Sequence, residues 1–278
     1  MTGDMAQPSA PPEGNGLRLR VISAAVILPV AIGALWLGSW WFALLLAVIG
    51  GAMGWEWARL CCPGWTEAIA VLPAAGVAAP LLLLPYGFCA VLWVVAVGAA
   101  VLAALSLLRR FPHRLILIAG LPYVVLGLAS AGWLRNDPAG GLSATLWVVA
   151  SVVATDVGAY FTGRTFKGPK LAPHVSPNKT WSGLIGGMLC AGAVGAVFGL
   201  LQGSAVPSLV AGGMVLAAIS QGGDLIESKL KRTVHAKDAS RLIPGHGGFL
   251  DRFDGYLTAM PAAALMSALA GGSPVTWQ

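Results

Sequence analysis

Charge is what this sequence has least of. Asp, Glu, Lys and Arg together make up 10% of its 278 residues, where a soluble domain carries about a quarter. A fully water-solvated globular surface is therefore excluded. Cysteine is sparse too. Of the four, Cys61 and Cys62 are adjacent and Cys89 and Cys190 lie in apolar runs, so no pair of C-x-x-C units offers a zinc site. A reducing cytoplasm disfavours a disulfide, and all four read as small hydrophobes. No internal repeat is evident.

What is present is apolar residue in long runs. The hydrophobic fraction is 57%, and several runs reach the roughly 20 residues that cross a hydrocarbon core as a helix. Inside lipid each backbone polar group needs an internal partner, so these runs must be helical. The fold class expected is all-α, a polytopic transmembrane bundle of about nine spans. They fall near 21–38, 41–60, 67–84, 87–108, 115–134, 142–163, 181–202, 205–227 and 253–271. Residues 1–16, rich in Pro, Gly and Ser, read as a disordered tail. Residues 17–140 read as scaffold helices, and 141–278 as helices and loops that carry a site. Arg18 and Arg20 before an apolar run could also open a signal peptide. No small-residue cleavage site is clear and another span follows at once, so an anchored first helix fits better. The 37 glycines suit close helix packing in a bilayer.

The basic residues set the orientation. With the N-terminus in the cytoplasm, all of the 17 Lys and Arg residues except Arg135 fall on the cytoplasmic side, as the positive-inside rule expects. Two long polar loops, about 164–180 and 228–252, then face the cytoplasm.

Acidic residues gather at the same face. Asp156, Asp224, Glu227, Asp251 and Asp254 lie in or at the ends of spans beside those loops, where a carboxylate by default marks an ion, a proton path or a partner. Asp224, Glu227 and Ser228 share one face of a helix end, as do Asp251 and Asp254. Pairing with nearby Lys and Arg is the bland account of any one of them. Four carboxylates framing one Gly-rich basic loop point to more. The Pro244-Gly-His-Gly-Gly248 run can turn tightly and aim backbone N–H groups at an anion. Lys231, Arg232, Lys237 and Arg252 supply positive charge for phosphates, and the carboxylates could hold Mg²⁺. Glu56, between Trp55 and Trp57, reads either as an ion-pair partner for Arg59 or as a site residue, with the ion pair slightly favoured.

The segment Ser228 to Asp254 resembles the signature of the phosphatidate cytidylyltransferase (CDP-diacylglycerol synthase) family. That signature has Ser-x-x-Lys-Arg, four residues, Lys-Asp, then Pro-Gly-His-Gly-Gly-x-x-Asp-Arg-x-Asp, and every fixed element stands here at that spacing. Upstream, Gly223-Asp224-Leu225 with Glu227-Ser228 is similar to the family's entry to the signature. Asp156, Tyr160, Gly163 and Arg164 match its Asp-x-x-Ala-Tyr-x-x-Gly-Arg stretch. Ser176-Pro-Asn-Lys179-Thr180 resembles its Ser-Pro-Lys-Lys-Thr motif, associated with the nucleotide. Asn178 departs where many members carry Lys, and Ser182 where many carry Glu.

The resemblance implies transfer of the cytidylyl group of CTP to phosphatidate, giving CDP-diacylglycerol and pyrophosphate. It implies Asp224 and Asp251 as the principal Mg²⁺ ligands, with Asp156 and Asp254 beside them and room for a second cation. Ser176, Lys179, Thr180, Lys231, Arg232, Gly247, Gly248 and Arg252 would meet the nucleotide and phosphates, with Lys237 and His246 also at the reaction. His246 reads either as a general acid/base or as a residue of the turn. The partners implied are CTP, phosphatidate and membrane lipids, and no nucleic acid. The helices could pair into a homodimer, though no single face demands it. The setting implied is the bacterial inner membrane, with the site facing the cytoplasm. Two rival classes remain: a CTP-dependent enzyme of another lipid, such as a polyprenol kinase, and a cation-coupled transporter. A transporter should carry polar residues across the whole bilayer depth, and spans one, three and four offer almost none.

Overall fold

The structure, a computed structural model, describes residues 13–62, 67–109, 111, 113–236, 238–240, 242–245 and 247–277. Among them are nine α-helices: α1 (Glu13–Leu37), α2 (Ser39–Cys61), α3 (Glu67–Leu82), α4 (Phe88–Arg109), α5 (Arg114–Arg135), α6 (Gly141–Phe166), α7 (Trp181–Gln202), α8 (Val206–Thr233) and α9 (Leu250–Leu269). Each expected span is met by one helix. Seven of the nine are long and apolar enough to cross a membrane, so the chain is a polytopic helical membrane protein. The other two are α3, 16 residues with Pro73 and Pro80 inside it, and α9, whose first turns carry Asp251, Arg252 and Asp254.

Several boundaries differ from the sequence reading. Residues 1–12 of the expected tail lie outside the described residues, and α1 already begins at Glu13. The segment 164–180 is not a plain loop. After α6 it forms an antiparallel hairpin of β1 (Lys170–Ala172) and β2 (Ser176–Thr180), with Lys170 opposite Thr180. The last expected loop is also shorter, because α8 runs on to Thr233 and α9 starts at Leu250. The reason is in the buried stripe of α8: Leu216, Ser220, Gly223, Glu227 and Leu230 continue at helical spacing past the apolar run. Hydropathy falls there while the packing face persists.

Small residues set the packing. The buried face of α7 consists of Gly183, Gly186, Gly187, Ala191, Gly192, Gly195 and Gly199, and α7 lies against α6 and α8. A Cβ on Gly195 would stand 2.2 Å from the carbonyl oxygen of Leu209, and one on Gly186 would stand 2.1 Å from Thr162 Oγ1. Backbone approach this close yields the dispersion contact that drives helix association where lipid offers no hydrophobic gain. On the opposite face Ile185, Leu189, Val197 and Leu201 are exposed, as a lipid-facing surface requires.

The exceptional cation has a structural use. Arg135, at the last turn of α5, donates from Nε to Leu35 O at 2.5 Å and from Nη2 to Trp36 O at 2.8 Å. These are C-terminal carbonyls of α1, which lack partners within their helix and favour a cation. α1 is otherwise on the outside of the bundle, with none of its apolar window buried, so this cap is one of its few fastenings. Arg135→Gln should lower the thermal unfolding midpoint of the detergent-solubilised protein by a few degrees, since a hydrogen bond from a charged group contributes about 1.5–3 kcal/mol.

Candidate active site

Five carboxylates from three helices meet at one end of the bundle. Asp156 comes from α6, Asp224 and Glu227 from α8, and Asp251 and Asp254 from the first turns of α9. Asp254 feels the charges of Asp224, Glu227 and Asp156, and Glu227 those of Asp251 and Asp224. α8 and α9 pack on each other, so i, i+3 spacing on both helices turns the pairs read from sequence toward a common space.

Two lysines answer these charges. The hairpin delivers the first. Along β2 the side chains alternate, so Thr180 turns inward and Lys179 faces α8. Lys179 Nζ lies 2.5 Å from Asp224 Oδ2 and donates to Gln221 Oε1 at 2.9 Å. Gln221 Nε2 in turn donates to Asp156 Oδ1 at 3.4 Å, so one lysine and one amide tie α6, β2 and α8 together. Ser228 Oγ donates to the other oxygen of Asp224 at 3.3 Å. The second cation is Lys231, 2.7 Å from Asp251 Oδ1 and 3.1 Å from Glu227 Oε1.

The Gly-rich run turns tightly, as its composition requires. Gly245 and Gly247 have φ of 78° and 90°, and Ile243 and Gly247 exchange both backbone hydrogen bonds, at 2.8 and 3.1 Å. Two of its amides, and that of Ala239 across the loop, have partners within the protein, however. Gly247 N–H donates to Ile243 O, Gly248 N–H to Asp251 Oδ2 at 3.1 Å, and Ala239 N–H to the same carboxylate at 3.1 Å. Gly247 and Gly248 thus shape the loop around Asp251. Arg20 and Ser23 of α1 hold the tip from outside, donating to Gly245 O at 2.8 Å and to Pro244 O at 3.3 Å.

The remaining expected residues stand around this centre. Ser176 is half-buried on β2, and Arg232 and Arg252 are exposed at the ends of α8 and α9. Thr180 is buried, and its hydroxyl accepts from Gly183 N–H at 3.1 Å as the N-cap of α7. Ser182, the departure without an expected role, joins Thr180 Oγ1 at 3.0 Å and hydrogen-bonds the carbonyl of Lys167, closing the hairpin onto α7. Lys237 and His246 lie outside the described residues.

A model of the cytidylyltransferase family matches residues 18–270. The chain belongs to this family. Among cytidylyltransferases, it is 38% identical over 270 residues to the phosphatidate cytidylyltransferase of Brucella suis, covering 92% of this chain and 94% of that one. It is 34% identical to the phosphatidate cytidylyltransferase of Pseudomonas aeruginosa over 93% of this chain and all of the relative. The N-terminal helices, which sequence motifs leave almost blank, therefore belong to the cytidylyltransferase unit.

Gln221, which bridges Lys179 to Asp156, escaped the sequence reading. Glu227 was read only as one of the framing carboxylates, and it pairs with Lys231. Glu56 takes a different part from the one expected of it. Its carboxylate, wholly buried, accepts from Ser240 Oγ at 2.5 Å, Phe249 N–H at 2.9 Å and Leu250 N–H at 2.8 Å. The expected pairing with Arg59 gives way to these, and the Arg59 guanidinium lies over the Trp55 ring at 4.7 Å. A carboxylate inside an apolar span was the available signal. Since Thr180 caps the helix next to Lys179, Thr180→Ala should cost about 0.5–2 kcal/mol of stability, read as a lower unfolding midpoint by denaturant or heat.

Proposed function

We propose that this chain transfers the cytidylyl group of CTP to phosphatidate, forming CDP-diacylglycerol and releasing pyrophosphate. A phosphate oxygen of the lipid bonds to the α-phosphorus of CTP, and the bond from that phosphorus to the β-phosphate bridging oxygen breaks. The observation that carries this reading is the junction of five carboxylates and two lysines at one end of a lipid-embedded bundle, built from the segment that resembles the family signature. The two relatives' names support the same substrates. In this reading nine helices span the inner membrane with the N-terminus and the site on the cytoplasmic side. Sixteen of the 17 basic residues then face the cytoplasm, and Arg135, the exception, caps α1. CTP arrives from the cytosol, and phosphatidate enters from the leaflet with its head group at the interface.

The nucleophile is already an anion, so the task of the protein is to bring anions together and stabilise the departing one. Lys179 and Lys231 each stand among carboxylates and can share their three N–H donors with phosphate oxygens. Arg232 and Arg252 add exposed positive charge where the triphosphate would approach. Thr180 and Ser182 fix the hairpin that presents Lys179, and Asp251 fixes the loop beside Lys231.

Mg²⁺ fits this donor set. Among the described residues no three acidic, His or Cys side chains converge closely enough to hold an ion alone. Mg²⁺ is commonly held by one or two carboxylates, with water and substrate phosphates completing its shell. Glu227 adds a buried carboxylate whose Oε1 pairs with Lys231 and whose Oε2 has no hydrogen-bond partner. Asp224 would be the first ligand, with Asp156 and Asp254 beside it and Asp251 at the edge of the same cluster. When bound, the ion would neutralise charge on the departing pyrophosphate.

Purified protein given CTP, phosphatidate and Mg²⁺ should release pyrophosphate, and omission of the metal should stop it. Turnover of a lipid alcohol in place of phosphatidate would overturn the reading. Asp224→Asn should reduce turnover at least a hundredfold and raise the Mg²⁺ concentration needed for half-maximal rate. Asp251→Asn should likewise abolish turnover, whereas Arg114→Gln, on the exposed start of α5, should stay within twofold of the parent.

A further inference from the structure

We propose that Glu56 is a positioning residue for the reaction, holding the two limbs of the 239–250 loop together and thereby setting where Asp251 and Lys231 stand. The inference rests on the cytidylyl-transfer reading above. Glu56 belongs to α2, in the half of the chain that carries no motif. Yet each of its three donors comes from the signature loop: Ser240 on the entering limb, Phe249 and Leu250 on the leaving one. Asp251 grips the same two limbs one residue away, through Ala239 N–H and Gly248 N–H. Two carboxylates thus staple one loop side by side, one from the scaffold and one from the site. Gly248 fits between them because it has no side chain: a Cβ there would lie 2.8 Å from Glu56 Oε1 and 3.1 Å from the Ala239 Cβ.

The geometry asks for a carboxylate rather than any buried polar group. Phe249 and Leu250 present N–H groups at the start of α9, which the helix itself leaves unpartnered. Both oxygens of Glu56 accept, Oε1 from Ser240 and Phe249 and Oε2 from Leu250. A glutamine in its place would set an NH₂ against one of those donors. The staple is itself rigidly held. The next residue, Trp57, donates from Nε1 to Ile116 O at 2.9 Å, and a Cβ on Gly120 would stand 2.1 Å from that nitrogen. α2 is thereby locked to α5, and the position of Asp251 is referred to the N-terminal bundle.

The test combines turnover with amide hydrogen exchange on full-length protein in detergent. Glu56→Gln should lower kcat at least tenfold with KM for CTP within threefold, because misplacing groups around the reacting phosphates removes transition-state stabilisation without removing binding. Exchange across 239–250 should quicken at least tenfold while exchange in α4 and α5 stays as in the parent. Ser240→Ala, which removes one of the three donors, should lower kcat several-fold, and the double variant should be less impaired than the product of the single effects predicts. Asp137→Asn, an acidic residue far from the site, should stay within twofold. Unchanged turnover in Glu56→Gln would overturn the proposal, whether or not loop exchange rises. If exchange rises throughout the bundle, Ser240→Ala decides, and normal turnover in that variant overturns the proposal. Parent protein that gave no pyrophosphate from CTP and phosphatidate would instead sink the reaction assigned above, and the exchange measurements would still report on the staple.

Discussion

Asp251 accepts hydrogen bonds from Lys231 and from the amides of Ala239 and Gly248, and that convergence fixes most of what surrounds it. A carboxylate at the head of a helix among lipid-embedded neighbours loses much of its hydration, and a cation and backbone amides must replace it. The loop closes so that two of its amides reach the carboxylate, and the left-handed Gly247 and the missing side chain of Gly248 permit the closure. Lys231 is drawn between Asp251 and Glu227, which sets the rotation of the last turns of α8. Because Asp224 and Glu227 lie on one face of that helix, the same rotation turns Asp224 toward the hairpin lysine.

The bundle beneath makes such a site tolerable. With few charges to satisfy, most of the chain is free to pack through small residues. α7 uses a stripe of glycine and alanine to bring its backbone against α6 and α8. Those contacts hold α6 and α8, the carriers of Asp156, Asp224 and Glu227, at a fixed separation. Repulsion among their carboxylates therefore meets a rigid frame, and Lys179, Gln221 and Lys231 offset it locally.

Hydropathy and charge asymmetry made the helices legible from sequence, because lipid leaves the backbone no alternative to helix in a long apolar run. The ends were less legible for the opposite reason. At the end of α8 and the start of α9 polarity rises while helical packing continues, so a hydropathy reading stops at 227 and starts again at 253 where the helices reach Thr233 and Leu250. The hairpin of 170–180 has only eight strand residues and no apolar alternation to announce it. The motif residues were legible as chemistry, though not as partners. Asp251 and Gly248 bond to each other, and Thr180 serves α7 as well as the strand. Glu56 shows the limit best: its three donors stand 184 to 194 residues away, and no local pattern encodes a contact of that reach.

A division into scaffold and site at residue 140 consequently misses how the molecule is joined. α1 touches the tip of the Gly-rich turn through Arg20 and Ser23, and α2 reaches its base through Glu56. α5 supports α2 through the Trp57–Ile116 hydrogen bond and packs on α9. The loop is thus held at its tip and base by helices that enter the sequence more than 180 residues earlier. For a reaction between a soluble nucleotide and a lipid phosphate, this arrangement has a physical logic. The loop must lie at the water boundary to meet CTP, where chain is ordinarily mobile, while phosphoryl chemistry needs its groups fixed. Tying an interfacial loop to carboxylates rooted in the bundle reconciles the two demands.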